Sequence, residues 1–294
     1  MQAIAAWLVA RPLNGVIGLA LTIWLQSLSF ISAIVLVVLI LSKGLQRAML
    51  DVAMAIGIVI IVGALAKVPL PAAVAGAVMV WLPATLFSVL LQRTRSLTLV
   101  LQISVLLAVA VLTGIFVVAG DLVEYWLRYF DQIVDELRRS NQYALAQWVE
   151  TQKQYADQMT MVAVFANWLV HSVALVLGYK MYRSLPGTGH EFGRFRDLNL
   201  GKVIASVTAI MSILGMLTEM MWFQHVAFIT FGAFWLQGFG IVHWLYGQQM
   251  MPRLGLVLVY TMLLSVILSA ITVIGLAIFG YMDAWFRLRR VKTA

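Results

Sequence analysis

Apolar residues in this chain run together in long stretches, with few polar positions inside them. The stretches fall near residues 3–25, 27–42, 45–66, 70–92, 97–119, 159–182, 203–222, 226–249 and 254–281. A helix needs about 20 such residues to cross the hydrocarbon of a bilayer, and only helices or closed barrels satisfy their backbone groups there. Barrel strands would alternate apolar and polar positions over about ten residues, which none of these stretches does. The pattern therefore predicts an all-α fold, a polytopic transmembrane helical bundle of about nine membrane segments, eight to ten at the limits. Two stretches set those limits. "QSLS" at 26–29 interrupts residues 13–42, a run long for one crossing and short for a hairpin, so a hairpin that borrows residues 3–12 is expected. "LSAIT" at 268–272 marks where 254–281 would divide into two short helices.

One segment breaks the pattern. Between 121 and 158, Trp126, Phe130, Ile133, Val134, Leu137 and Trp148 recur at helical spacing with charges between them. That is the signature of an amphipathic helix, read here as lying on the outer surface of the membrane. The functional alternative is a lid over a substrate site.

Composition agrees with the pattern. Of 294 residues, 63% are hydrophobic and 11% charged, where soluble domains carry about a quarter charged residues. Cysteine is absent, which excludes disulfides, thiolate metal sites and cysteine nucleophiles and leaves the redox compartment open. The start, "MQAIAAWLVARPLNG", lacks a basic n-region and a small-residue cleavage site, so residue 1 is expected to be mature and the first helix to drive insertion. A net charge of +8 would suggest nucleic acid in a soluble chain, but the positive-inside rule is a sufficient cause here, and no nucleic-acid partner is expected. Lys43 and Arg47, Arg93 and Arg95, then Lys180, Arg183, Arg194, Arg196 and Lys202, then Arg253 occupy alternate loops. Those loops are assigned to the cytoplasm, and with them the N-terminus. Segment 121–158 holds seven acids and four bases, a net of −3, and falls outside. A single crossing by 254–281 would leave the basic tail "FRLRRVK" outside, so a re-entrant or hairpin ending is preferred. Trp81, Trp126, Tyr179, Tyr182 and Trp285, near the ends of runs, fit an interfacial aromatic belt. Residues 1–294 form a single integral membrane domain in this reading, with the lipid bilayer as the one partner the sequence implies.

Candidate chemistry is sparse. The stretch "PGTGHEFGRFRDLNLGK" at 186–202 is broken by Pro186, Gly187 and Gly189 and returns along the interface, with Glu191, Phe192, Arg194, Phe195 and Arg196 as an interfacial loop. Phe192 and Phe195 are expected to dip inward while Arg194 and Arg196 meet lipid headgroups. As a phosphate cradle it lacks the Gly-Lys-Ser/Thr ending, and His190-Glu191 has no second histidine four residues on. Inside the apolar runs, Asn167 and His171 share a helix face at i and i+4. Gln237 lies within "FWLQGFGIVHW", His243 follows six residues later, and Glu219 and His225 flank the outer end of the adjoining runs. Polar residues at membrane depth are functional candidates, so Asn167, His171, Gln237, His243 and Glu219 are nominated to line a cavity for a small polar ligand. The competing reading makes them interhelical hydrogen-bonding glue. Ala72 and Gly76, with Ala73 and Ala77, form a small-residue face assigned to close helix packing, and Pro83 a kink candidate. No Ser-His-Asp set, no carboxylate pair at mid-membrane and no nucleotide motif appears, so neither enzyme activity nor a cofactor is expected.

Four stretches, "WLPATLFSVLLQRTRSL" at 81–97, "PGTGHEFGRFRDLNLGK" at 186–202, "LQGFGIVH" at 236–243 and "GYMDAWFRLRR" at 280–290, occur in an order that resembles the proteobacterial branch of the YybS-like family of polytopic membrane proteins. Asp283, Trp285, Phe286 and Arg287 match its "Asp-x-Trp" and aromatic-basic tail, whereas "PGTGH" departs from its usual "PGGF" turn. By fold that family is grouped with the substrate-binding components of energy-coupling-factor vitamin transporters and with the rod-shape protein MreD. The resemblance thus implies a bacterial inner-membrane protein of one of two kinds. One binds a small molecule and works with a separate coupling subunit and ATPases. The other is a non-transporting scaffold of the cell envelope that recruits other membrane subunits.

Overall fold

The structure is a computed structural model that describes residues 1–25, 29–188, 192–265 and 267–289. Among the described residues there are thirteen α-helices and no strand. Seven helices are long and apolar enough to cross a membrane: α4 (Leu45–Leu65), α5 (Leu70–Thr94), α6 (Leu97–Val118), α9 (Met159–Arg183), α10 (Gly201–Thr218), α11 (Met221–Gly247) and α13 (Ser269–Phe286). The bent pair α1 (Gln2–Ala10) and α2 (Pro12–Ile23) makes an eighth span if taken together. The remaining four are α3 (Phe30–Lys43), α7 (Leu122–Arg139), α8 (Tyr143–Gln152) and α12 (Arg253–Leu264). The protein is thus a multi-pass membrane protein with an all-helical fold.

The two ambiguous stretches resolve by visible local chemistry. Residues 3–25 are not one straight helix. Arg11 is extended (φ −136°, ψ 147°) and Pro12 starts the next helix, and the two axes meet at 115°. Proline has no N–H to give to the preceding turn and pushes its predecessor out of the α region, so the helix must stop before it. Stretch 254–281 divides into α12, which ends at Leu264, and α13, which starts at Ser269 within the "LSAIT" signal. The "QSLS" interruption lies largely outside the described residues.

The chain forms two compact units: residues 1–104 with 169–195, and residues 105–168 with 196–294. In the first unit α3 is the centre. All ten residues from Ser32 to Leu41 are buried, so its uniformly apolar sequence reflects burial on every side by protein. At 14 residues it is about 21 Å long, short of a ~30 Å crossing, which corrects its reading as a full membrane segment. Close approach helps enclose it: a Cβ on Gly178 of α9 would meet Val37 Cβ at 2.6 Å. Trp81, Tyr179 and Tyr182, expected in an interfacial belt, are buried in protein here. Trp81 Nε1 instead donates to Ser32 Oγ at 2.8 Å.

In the second unit the centre is α11. Its most apolar window is 67% buried, against 22–33% for the other six long helices. It meets α13 through glycines: a Cβ on Gly238 would lie 1.8 Å from the Leu276 carbonyl oxygen, and one on Gly280 would lie 2.1 Å from that of Phe234. The small-residue face expected at Ala72, Ala73, Gly76 and Ala77 packs only in part: Ala77 is fully buried and a Cβ on Gly63 of α4 would lie 3.5 Å from that of Ala73, whereas among the described residues a Cβ on Gly76 would meet nothing within 4 Å. Pro83 sits inside α5 without interrupting it. Leu65, Val117, Val118, Met216 and Leu264 are exposed, as suits surfaces solvated by lipid rather than water.

The segment expected to lie on the membrane is a helical hairpin with its own core. Asp121 caps α7 by accepting the Glu124 N–H at 3.0 Å. The apolar face of α7, with Phe130 and Val134 at its centre, packs against Ala146, Val149 and Ala156. Trp126 donates to Thr160 Oγ1 at the start of α9 (2.8 Å). The centre of the amphipathic face, Phe130 and Val134, is therefore covered by α8, while Trp126, Ile133 and Leu137 are half-buried and Trp148, grouped with that face on spacing alone, is exposed.

Candidate functional site

The most concentrated chemistry is in the second unit, where the ends of α11 and α13 meet the segment preceding α10. Asp283, one turn before the end of α13, is only 1% exposed. Removing a carboxylate from water is costly unless it is paired and hydrogen-bonded. Here Asp283 Oδ2 accepts from Gln237 Nε2 (2.7 Å) and from Arg289 Nη2 (2.6 Å) and Nε (3.1 Å). Arg289 reaches it because the chain reverses at Arg287, which is left-handed (φ 51°) and returns its N–H to the Asp283 carbonyl. The same guanidinium donates to the carbonyls of Arg196 (2.7 Å) and Leu198 (2.6 Å). Gln237 is fully buried, and its Oε1 accepts the Leu200 N–H at 2.7 Å. One acid, one amide and one guanidinium thus clamp residues 196–200 onto two membrane helices.

The glycines explain why this geometry is reached. Gly238 follows Gln237 and Gly280 is one turn before Asp283, so the close crossing of α11 and α13 brings the amide and the carboxylate within hydrogen-bonding distance. Three of the stretches singled out in the sequence converge here: the "RDLNLG" backbone, the "LQG" amide and glycine, and the "GYMDAWF" acid. Beside the network lies an open cleft of about 300 Å³ lined by Asp197, Asn199, Trp244, Asp283, Arg287 and Arg289.

The residues nominated from sequence take varied positions. In the second unit Gln237, His243 and Glu219 turn to three different surroundings rather than to one space. Gln237 belongs to the clamp, His243 Nε2 faces the Tyr260 hydroxyl at 3.2 Å, and Glu219 is exposed at the left-handed end of α10. Asn167 is exposed, although His171, one turn on, is buried. In the first unit His171 Nε2 lies 3.2 Å from the Val80 carbonyl; a carbonyl only accepts, so this nitrogen carries the proton. Val80 is three residues ahead of Pro83, in the turn whose backbone pairing that proline disturbs.

Of the interfacial loop, Glu191 lies outside the described residues. Phe192 is buried in protein, stacked on Tyr179 and Tyr182, with its N–H on the Tyr179 hydroxyl (2.6 Å) and its carbonyl accepting from Leu97 (2.6 Å). Arg194 is exposed and Phe195 half-buried. Arg196 packs its guanidinium over Gly247 at the end of α11, where a helix favours positive charge, so it is turned to protein rather than set free for headgroups.

Sequence reading nominated none of Asp283, Arg289 and Asp51 as a site residue, and counted Arg289 only as a charge of the basic tail. Asp51 is a second buried acid, in the first unit, whose Oδ2 accepts from Lys43 Nζ at 2.9 Å. The available signal was the same for both acids: a lone carboxylate inside an apolar run requires a partner. Among the described residues no group of three or more His, Asp or Glu side chains is placed to hold a metal ion. No protein-family model, no curated protein and no solved structure matches the chain.

Proposed function

We propose that the protein is a non-enzymatic scaffold of the bacterial inner membrane, with its N-terminus and the 196–200 segment in the cytoplasm, that recruits other membrane subunits. The observation that carries this reading is the state of Gln237. A transporter component that captures a small polar molecule needs polar groups left open in its interior. The amide nominated for that task has both ends bound within the protein, to Asp283 and to the Leu200 N–H. Loop charge supplies the orientation. The family resemblance is compatible with this reading, as it is with a transporter component.

The test compares small molecules co-purifying with the wild type, with Gln237→Leu and with Asp197→Asn, all extracted directly into polymer-bounded discs. The scaffold reading expects no small molecule held by Gln237 itself. A stoichiometric metabolite lost from Gln237→Leu but retained by Asp197→Asn, which keeps the amide and alters only the neighbouring cleft, would overturn it in favour of transport.

A further inference from the structure

The cleft beside the clamp is lined by four charged residues, of which two neutralise each other: Asp283 and Arg289 are 2.6 Å apart. The other two, Asp197 and Arg287, are exposed, and among the described residues neither makes an ion pair or a side-chain hydrogen bond. Among the described residues the cleft therefore presents one uncommitted carboxylate, one uncommitted guanidinium and the Trp244 indole, with no net charge. An anion alone would be opposed by Asp197, and a cation alone by Arg287. A ligand that carries both signs answers both.

We infer that this cleft binds a phosphoethanolamine zwitterion. The guanidinium of Arg287 is suited to a phosphate through paired N–H donors, and the Asp197 carboxylate accepts from the primary ammonium. Place and size favour this class. The cleft opens where two apolar helices, α11 and α13, end, the level at which headgroups and indole rings meet. Its volume of about 300 Å³ is at the small end of ligand sites, fit for a headgroup rather than a larger metabolite. The same chemistry is offered by a phospholipid headgroup and by free phosphoethanolamine.

The experiment places the full chain in discs with equal amounts of phosphatidylethanolamine, phosphatidylcholine and phosphatidylglycerol and identifies retained lipid by native mass spectrometry. The wild type should retain phosphatidylethanolamine over both others by roughly fivefold, as expected for one exposed charge-assisted contact. Asp197→Asn should abolish the preference over phosphatidylcholine, whose trimethylammonium donates no hydrogen bond. Arg287→Gln should lower retention of both zwitterionic lipids. Displacement of the lipid by millimolar O-phosphoethanolamine would identify the free compound as a ligand too; resistance to displacement would assign the site to the lipid. Equal retention of the three lipids, a preference for phosphatidylglycerol, or a preference unchanged in both variants would overturn the inference. Phosphorus NMR of the wild type in the same discs needs no variant: an immobilised phosphatidylethanolamine signal is expected, and its absence counts against the site.

Discussion

Asp283 is a buried charge whose cost is offset by three N–H donors, and such a group is most sensitive to the loss of one partner. Arg289→Met removes two of those donors and leaves the carboxylate in an apolar setting. We expect a loss of about 3–5 kcal/mol, read as a large fall in apparent melting temperature in detergent. Arg289→Lys should not rescue it, because an ammonium on a flexible stem does not span one carboxylate and two carbonyls as the planar fork does. A Lys variant as stable as the wild type would contradict this geometry. The glycines give a second contrast. Gly238→Ala must push α11 and α13 apart at a backbone contact and should cost about 1–3 kcal/mol, whereas Gly76→Ala meets open space and should leave stability unchanged. Equal melting of the two variants would refute the close crossing. At this scale sequence reading found Gln237 as a polar residue within an apolar run, yet not its partners. The partners lie 46 residues away in Asp283 and 37 away in Leu200, and no local period encodes contacts of that range. The stacking of Phe192 on Tyr179 and Tyr182 was hidden for the same reason.

Among the elements, the α7–α8 hairpin shows what a pattern does and does not reveal. Helical spacing of Phe130, Ile133, Val134 and Leu137 specified a helix and its apolar face correctly. Whether that face meets lipid or a second helix is a tertiary question, and α8, at ten residues, is too short for its pattern to decide it. Val134→Asp places a charge inside the small core of the hairpin. It should raise protease sensitivity of 121–158 while leaving the membrane helices folded; unchanged protection would contradict the core. Lys153 pins the hairpin from outside, donating to Asp131 Oδ1 at 2.6 Å and to Glu150. The hydrogen bond to Asp131 and then that to Glu150 hold its ammonium above the ordinary 10.5. A raised base stabilises while protonated, so this contribution is complete below pH 10.5 and is lost only as the pH climbs through the still higher folded value. Hairpin protection should therefore not weaken through Lys153 between about pH 7 and about pH 9, and protease digestion at the two values checks it. The α1–α2 bend was legible in Pro12. The burial of α3 was not, since a helix sheathed in protein and one sheathed in lipid carry the same apolar sequence.

Across the whole molecule, the proposed orientation rests on loop charge, and the clamp adds a constraint independent of charge. Arg289 holds the carbonyls of residues 196 and 198, and Trp244 lines the same cleft as Arg287. The chain that leaves α11 at this end therefore returns to it after α12 and α13, as a hairpin ending of 254–281 requires. A reporter fused near residue 140 should be active outside, and reporters fused near residue 185 or after residue 294 only in the cytoplasm. A tail reporter on the opposite side from the one at 185 would break the clamp as well as the topology. In the proposed scaffold the buried polar set formed by Gln237, Asp283 and Arg289 holds residues 196–200 and receives no ligand. Hydrogen–deuterium exchange of the peptide covering 196–201 tests it most directly, in the wild type and in Gln237→Leu without added ligand. The Leu200 amide should be protected in the wild type, and exchange across this peptide should be fast in the variant. Equal protection in the two would show that Gln237 is not holding the segment and would contradict the claim.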